Sequence, residues 1–431
     1  GGVCLLRGCI PTKALLEATS MINSITESRD RGIAFGQPEI QLDSLRKWKE
    51  GVVDRLVSGV ETLVKRRDIE VIHGTAVFDA PNRLRLEGGE VRYIKFKHAI
   101  IATGSRSADL RDYPSKPGSR IINSRAALDL ADIPQRLLII GGGYIGMELG
   151  MVYAALGSQI TMVEMMDSLL PGMDQDLVKP LARKAEKLYK AIYLNTKVTK
   201  MEESANEVKV TFEGKADPLE QSFDRVLVAV GRVPNTQNLG LENTGVKLDE
   251  KGFIIVDEQR RTGEKAIFAI GDVTGHPLLA HKAIHEGKIA AEVIAGHPAA
   301  FDVAAIPSVV YTHPEIATSG LSEKDATAMG YQVRTGKYPW VASGRAITMG
   351  EMDGMTKLIF DDKTQRLLGV GIVGRGAEDL IAEGTLAIEM GALAQDLALT
   401  IHPHPTLSET INEAAEVFLG VPIHIMPSRK K

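Results

Sequence analysis

Apolar residues along this chain fall into short, sharply bounded runs. Leu137 to Ile140 is continuously apolar and too short for a buried helix, so it reads as a buried strand. It runs directly into Gly141-Gly142-Gly143-Tyr144-Ile145-Gly146. A helical pattern, Met147 to Leu156, comes next, and Gln159 to Glu164 reads as a second strand. Near the start, Leu15, Ala18, Ile22 and Ile25 recur at helical spacing after Pro11, which suits a first helical turn. Leu42 to Arg67 reads as a long helix with Leu45, Trp48, Val52, Leu56, Val60 and Leu63 on one stripe. Short strands are predicted at Glu70 to His73, Leu84 to Leu86, Ala99 to Thr103, Val208 to Glu213, Phe223 to Val230 and Ala266 to Ile270. The polar stretch Ser105 to Arg120 reads as a connection between domains. From Ile306 the pattern becomes α+β. Strands at Ser308 to Tyr311, Lys357 to Phe360 and Leu367 to Val373 alternate with helices at Ala377 to Met390 and Ser408 to Phe418.

The strand–glycine turn–helix–strand order around Gly141 is the context that gives G-x-G-x-x-G its meaning as a dinucleotide fingerprint. Gly141 supplies the tight turn, Gly143 lets backbone approach a pyrophosphate, and Gly146 lets helix and sheet pack closely. The helix N-terminus then faces the phosphates. Glu164 follows about twenty residues later, where a carboxylate accepts hydrogen bonds from ribose hydroxyls and repels a 2′-phosphate. No Lys or Arg occurs from Thr161 to Val178, which favours NAD over NADP.

The 431 residues allow about three domains at roughly 150 residues each. Composition is that of an ordinary folded protein, with net charge −4, and it changes the picture only by exclusion. No basic stripe with interleaved aromatics points to nucleic acid. No apolar run reaches the roughly 20 residues of a membrane span. The two cysteines, Cys4 and Cys9, fit a reducing, cytoplasmic setting. Four residues separate them, so one helical turn is expected to bring the sulfurs into bonding range. Half a metal site and two buried small side chains are the competing readings. Gly1, Gly2 and Gly8 allow close backbone approach to a flat ligand. Cys9 near a helix N-terminus would be favoured as thiolate.

Together, G-G-x-C-x-x-x-x-C-I-P-T-K, A-T-G-S at Ala102 to Ser105, G-G-G-Y-I-G, A-I-G-D at Ala269 to Asp272, A-H-K-A, and H-P-T-L-S-E at His404 to Glu409 resemble the two-cysteine flavoprotein disulfide reductases. The likeness runs from Gly1 to the C-terminus and is strongest to members that oxidise dihydrolipoamide. It implies an α/β fold of two dinucleotide-binding, Rossmann-like domains, the first truncated, plus a C-terminal α+β dimerisation domain. The corresponding divisions are 1–110 for FAD, 111–236 for NAD, 237–305 completing the FAD site, and 306–431 at the subunit interface. It further implies FAD, NAD and a homodimer that partners lipoyl domains and the core subunit of 2-oxoacid dehydrogenase complexes. The reaction implied is oxidation of protein-bound dihydrolipoamide to lipoamide with reduction of NAD.

Carried over by motif, Cys4 would exchange with substrate and Cys9 would face the flavin. Lys13 would lie near the flavin N5 and pair with Glu148. Asp272 would bind the FAD ribitol, Ala280 the pyrimidine edge, Thr103 and Gly104 would lie along FAD, and Ala76 near its adenine. The NAD surface would comprise Gly141, Gly142, Gly143, Tyr144, Ile145, Gly146 and Glu164, with Val198, Ala229 and Gly231. Tyr144 would either cover the flavin until nicotinamide arrives or simply fill the cleft. His404 would be the acid/base, supplied by the second subunit and oriented by Glu409. From the residues alone His402 competes with it, and His404 meets Glu409 only if Pro405 reverses the chain.

The family's first G-x-G-x-x-G is expected roughly thirty residues before Cys4. It is absent from these 431 residues, so weak or no FAD retention by this exact chain is expected. Glutathione-type reductases prefer NADPH, against Glu164. Mercuric and large thioredoxin reductases need further C-terminal cysteines, and none follows Cys9. A flavin-free scaffold that docks on a multienzyme core is the alternative of a different class.

Overall fold

In the computed structural model, residues 2–36, 38–88 and 90–426 are described. They divide into two units. Of the described residues, the first comprises those within 2–14, 41–109 and 230–302, and the second those within 15–40, 110–229 and 303–426.

In the first unit, strands Thr75–Ala80, Arg83–Glu87 and Tyr93–Lys95 form an antiparallel meander. Ala99–Ile101 pairs in parallel with Ile267–Ala269, and Ser105–Ser107 antiparallel with Arg232–Pro234. Phe78, Ile101, Leu241, Ile254, Ile267, Ala269 and Val273 share one core. The chain then enters helix Ala280–Ile294. Helix Leu42–Arg66 forms as its stripe requires, yet Trp48, Leu56 and Leu63 on that stripe stay exposed. The expected strand Glu70–His73 does not form, and Val71 and Ile72 are exposed. Apolar alternation favours a pleat but supplies no ladder partner. Ser105 begins a strand rather than a connection, and it is buried.

The second unit holds a five-stranded sheet of parallel neighbours. Its order is Ile121–Asn123, Arg225–Val228, Arg136–Ile140, Gln159–Val163, Ala191–Tyr193. The chain moves outward from Arg136–Ile140 on one side and returns on the other, which creates a switch point at the carboxyl end of that strand. The predicted strand Phe223–Val230 is really two. Glu220–Phe223 belongs to a separate antiparallel sheet and Arg225–Val228 to the parallel one. Asp224 makes the break, with its carboxylate accepting from the Arg136 backbone N–H at 2.8 Å and from the Arg136 guanidinium at 2.7 and 3.1 Å.

A second five-stranded sheet, antiparallel, has the order Ser308–Val310, Ile316–Gly320, Leu367–Val373, Met355–Asp361, Val333–Pro339. Leu367–Val373 is buried at every position, as its continuous apolar run predicts. Helices Ala377–Glu389 and Glu409–Leu419 pack on this sheet around Trp340, Phe360, Ile372, Ile411 and Phe418. The Phe360 and Phe418 rings lie 4.3 Å apart, which fixes the helix that begins at Glu409. Among the described residues, no helix is long and apolar enough to cross a membrane.

Candidate active site

Cys4 and Cys9 are joined in a disulfide, with their Cα atoms 4.6 Å apart. The expected single helical turn is not how they meet. A continuous helix would separate them axially by about 7.5 Å, beyond the usual Cα reach of a disulfide. The chain instead breaks at Gly8 into helices Val3–Arg7 and Cys9–Ser28. A Cβ at Gly8 would lie 3.0 Å from the Val3 carbonyl oxygen, a tight contact that a glycine at the break avoids. Thr12 returns its hydroxyl to the Gly8 carbonyl at 2.7 Å and closes the first turn. Cys9 opens the longer helix, where the backbone N–H groups of a first helical turn favour thiolate. Gly1 lies outside the described residues.

In the same unit, the Asn235 side-chain amide donates to the Thr103 carbonyl at 2.9 Å, and the Thr103 hydroxyl donates to the Asn235 carbonyl at 2.8 Å. The Asn235 backbone N–H donates to the Gly104 carbonyl at 2.9 Å. This clamp holds Thr103, the last residue of the predicted strand, outside the observed one, which ends at Ile101. Asp272 lies in the turn Gly271–Thr274 and accepts a hydrogen bond from the Ser105 hydroxyl. The turn's backbone is held from beneath. Fully buried Glu286 accepts from the Gly271 N–H at 2.6 Å, and pairs with Arg260 at 2.9 Å and Lys282 at 3.1 Å. Ala280 is the first residue of its helix, Ala76 sits half-buried in the meander, and Gly231 adopts φ +127°.

In the second unit, Gly141 turns with φ +110° at the end of its strand. A Cβ on Gly146 would lie 2.0 Å from the Gly141 carbonyl oxygen, so helix Tyr144–Ala155 reaches its strand only with glycine there. Gly143 caps that helix without a side-chain bond and faces open space. An uncapped helix start beside open space fits a pyrophosphate. Glu164 follows the neighbouring strand. One of its oxygens accepts from the Gly142 N–H at 2.7 Å and the other from the Met166 N–H at 2.8 Å. Each oxygen keeps a second lone pair for a ribose hydroxyl. Ala229 follows the adjacent strand on the other side and donates to the Ile140 carbonyl at 2.8 Å. The glycine turn, Glu164 and Ala229 thus converge on the switch point. Ile145 is half-buried and Tyr144 more exposed. Val198 is half-buried and packs against the core cluster that includes Ile140 and Val163. Glu148 is buried and accepts from the Tyr311 N–H at 2.9 Å. Lys13, in the first unit, is half-buried in helix Cys9–Ser28.

His404 and Glu409 also belong to the second unit. The His404–Pro405 peptide is cis, and His404 Nδ1 lies 2.8 Å from Glu409. The other Glu409 oxygen accepts from the Thr406 N–H at 2.7 Å. Burial pushes the Glu409 carboxyl up, but the Thr406 N–H and the His404 ring outweigh it and hold it below its ordinary value. The His404 side chain is 76% exposed against 7% for His402. Both His402 nitrogens are engaged, at 2.8 Å with Glu383 and 2.9 Å with the Thr400 carbonyl. His404 alone of the two presents a ring nitrogen outward beside an ionised carboxylate. That combination suits proton exchange with an external thiol.

Sequence reasoning missed Ser105, Arg232, Glu286 and Arg260. The G-R-x-P-N run at Gly231 to Asn235 was the available signal. Its significance depends on pairing with Ser105–Ser107, more than a hundred residues earlier.

Residues 1–287 match the pyridine nucleotide-disulphide oxidoreductase family, and residues 306–415 its dimerisation domain. The chain belongs to this family. Similar proteins include a dihydrolipoyl dehydrogenase of Vibrio parahaemolyticus, 47% identical across 100% of this chain and 90% of that protein. Another, from Geobacillus stearothermophilus, is 44% identical across 99% and 90%. Among solved structures, LpdA from Mycobacterium tuberculosis superposes with a TM-score of 0.87 at 25% identity, covering 96% of this chain and 91% of that one.

Proposed function

We propose that this chain is an FAD- and NAD-dependent dihydrolipoyl dehydrogenase. It oxidises dihydrolipoamide to lipoamide and works as a homodimer on the lipoyl domains and core of 2-oxoacid dehydrogenase complexes. The observation that carries the reading is the Cys4–Cys9 disulfide across a helix break, with Cys9 at a helix start. The exposed His404–Glu409 pair supports it.

Chemically, the substrate dithiol must lose a proton before it can attack. His404, delivered from the second copy, accepts that proton on its outward nitrogen. Glu409 holds the imidazole through Nδ1 and stabilises its charged form. The substrate thiolate attacks Cys4 Sγ, a mixed disulfide forms, and Cys9 leaves as thiolate. The second substrate thiol loses its proton and attacks its own sulfur partner, which releases lipoamide and the Cys4 thiolate. Helix Cys9–Ser28 stabilises the Cys9 thiolate by its N-terminal N–H groups. When bound, FAD supplies the two-electron relay between the reduced cysteines and NAD. Asp272, Thr103, Gly104, Ala280, Lys13 and Ala76 hold FAD. The glycine turn and Glu164 hold NAD and discriminate against a 2′-phosphate.

The test is dihydrolipoamide-dependent NADH formation by Cys4→Ser and Cys9→Ser variants. Both are expected to lose turnover while their far-UV circular dichroism stays unchanged. Full activity in either would overturn the proposal. Equal catalytic efficiency with NADP would overturn the assignment of Glu164.

A further inference from the structure

Asp272 reaches its position through a serine and an arginine that have no role in the scheme above. Ser105 is 1% exposed, and its hydroxyl donates to Asp272 Oδ2. Arg232 Nε lies 2.7 Å from the same hydroxyl, and its Nη2 lies 2.8 Å from the Ser105 carbonyl. Arg232 Nε is 3.8 Å from Asp272 Oδ2, close enough for ion pairing but too far for a hydrogen bond.

The direction of these bonds is forced. A guanidinium can only donate, and a serine hydroxyl has one hydrogen. With Arg232 donating into the Ser105 oxygen, the Ser105 hydrogen has to point at Asp272. Oδ2 is thereby anchored with one acceptor site used, and Oδ1 keeps both of its own for ligand hydroxyls. The backbone pairing of Ser105–Ser107 with Arg232–Pro234 fixes both residues in register.

We infer that Ser105, locked by Arg232, is a positioning residue that presents one Asp272 oxygen to the ribityl hydroxyls of FAD. The inference rests on the reading of Asp272 as the ribityl ligand. Ser105 touches no reacting atom. It acts by removing the carboxylate's freedom to rotate before the flavin arrives. Ordering one freed side chain when the ligand binds corresponds to about a three- to tenfold loss of affinity.

The experiment titrates FAD into the apoproteins of Ser105→Ala, Ser105→Thr, Asp272→Ala and the Ser105→Ala/Asp272→Ala double variant. Flavin fluorescence reads the dissociation constant, and thermal unfolding of each apoprotein reads the fold. Ser105→Ala is expected to bind FAD about three- to tenfold more weakly while its apoprotein, with a somewhat lower midpoint, still unfolds in one cooperative transition, and Ser105→Thr to regain the affinity because it keeps the hydroxyl. In the Asp272→Ala background, Ser105→Ala should add nothing. Normal affinity in Ser105→Ala beside weakened Asp272→Ala overturns the inference alone. A further loss in the double variant also overturns it, since Ser105 would then act elsewhere. Normal affinity in Asp272→Ala removes the ribityl reading itself, and the inference with it.

Discussion

Two histidines two residues apart differ completely in what their surroundings permit. His402 is enclosed between Glu383 and the Thr400 carbonyl, whereas His404 shares one nitrogen with Glu409 and exposes the other edge. His404→Gln is therefore expected to lower lipoamide turnover by roughly 10² to 10⁴, the usual size of an acid/base contribution, with unfolding temperature unchanged. His402→Gln should do the reverse, lowering the unfolding temperature with little effect on kcat. Glu409 has a depressed pKa in the folded chain, so its contribution is present above the ordinary carboxylate value and lost as pH falls through the lowered one. Sequence spacing brought His404 and Glu409 within reach of each other but could not rank the histidines. Burial decides the ranking, and burial here depends on Glu383, nineteen residues before His402.

At the scale of elements, the approach of helix Tyr144–Ala155 to its strand is set by one atom that Gly146 lacks. Gly146→Ala must push helix and turn apart, and overpacking of this kind costs about 1–3 kcal/mol. NAD is expected to bind at least about tenfold more weakly, a loss of about 1.4 kcal/mol, while reduction of the disulfide by dithiol persists. Stopped-flow separation of the two half-reactions checks this. Loss of both together would mean that the change is not local. Two strands of the parallel sheet were legible because they are short apolar runs closed by glycine or acid, at Ile140–Gly141 and Val163–Glu164, whereas the three-residue strands Ile121–Asn123 and Ala191–Tyr193 are too short to show in the pattern. Two further kinds of element were not legible. Ser105–Ser107 is too short and polar to announce itself, and exists because Arg232–Pro234 pairs with it. Glu220–Phe223 and Arg225–Val228 read as one strand because the bond that splits them is made by Arg136, far away in sequence.

On the molecular scale, the second unit ties its nucleotide-binding region to its antiparallel sheet with charge. Lys357 is 1% exposed, and its ammonium meets Asp174 at 2.8 Å, Asp176 at 3.0 Å and Glu323 at 2.5 Å. Lys337 adds a second cation, 2.7 Å from Asp176 and 3.1 Å from Glu323. Burial lowers the Lys357 pKa, but the three acids outweigh it and hold it above its ordinary value. Burial raises Asp176 and Glu323, but the two lysines outweigh it and hold both below theirs. The stabilisation from Lys357 is thus full below its ordinary pKa and lost as pH rises through the raised one. That from the acids is full above their ordinary pKa and lost as pH falls through the lowered ones. Lys357→Met should destabilise near neutrality by less than the about 3–5 kcal/mol of a fully buried broken pair, because three carboxylates are left with Lys337, among the described residues, as the one cation and it reaches only Asp176 and Glu323. The deficit should shrink towards acid pH as they protonate, which thermal unfolding across pH will read. A deficit independent of pH would point to lost packing of the lysine stem instead.

The break at Gly8 also has an entropic consequence. A disulfide stabilises mainly by restricting the unfolded chain, and more so the longer the loop it closes. This one joins residues only five apart and restricts the unfolded chain by about 2 kcal/mol, against about 5 for a loop of a hundred residues. Opening it releases little chain freedom, so the protein can hold the oxidised and reduced forms on one scaffold. The two thiols stay tethered by the four residues between them, ready to close again without a search.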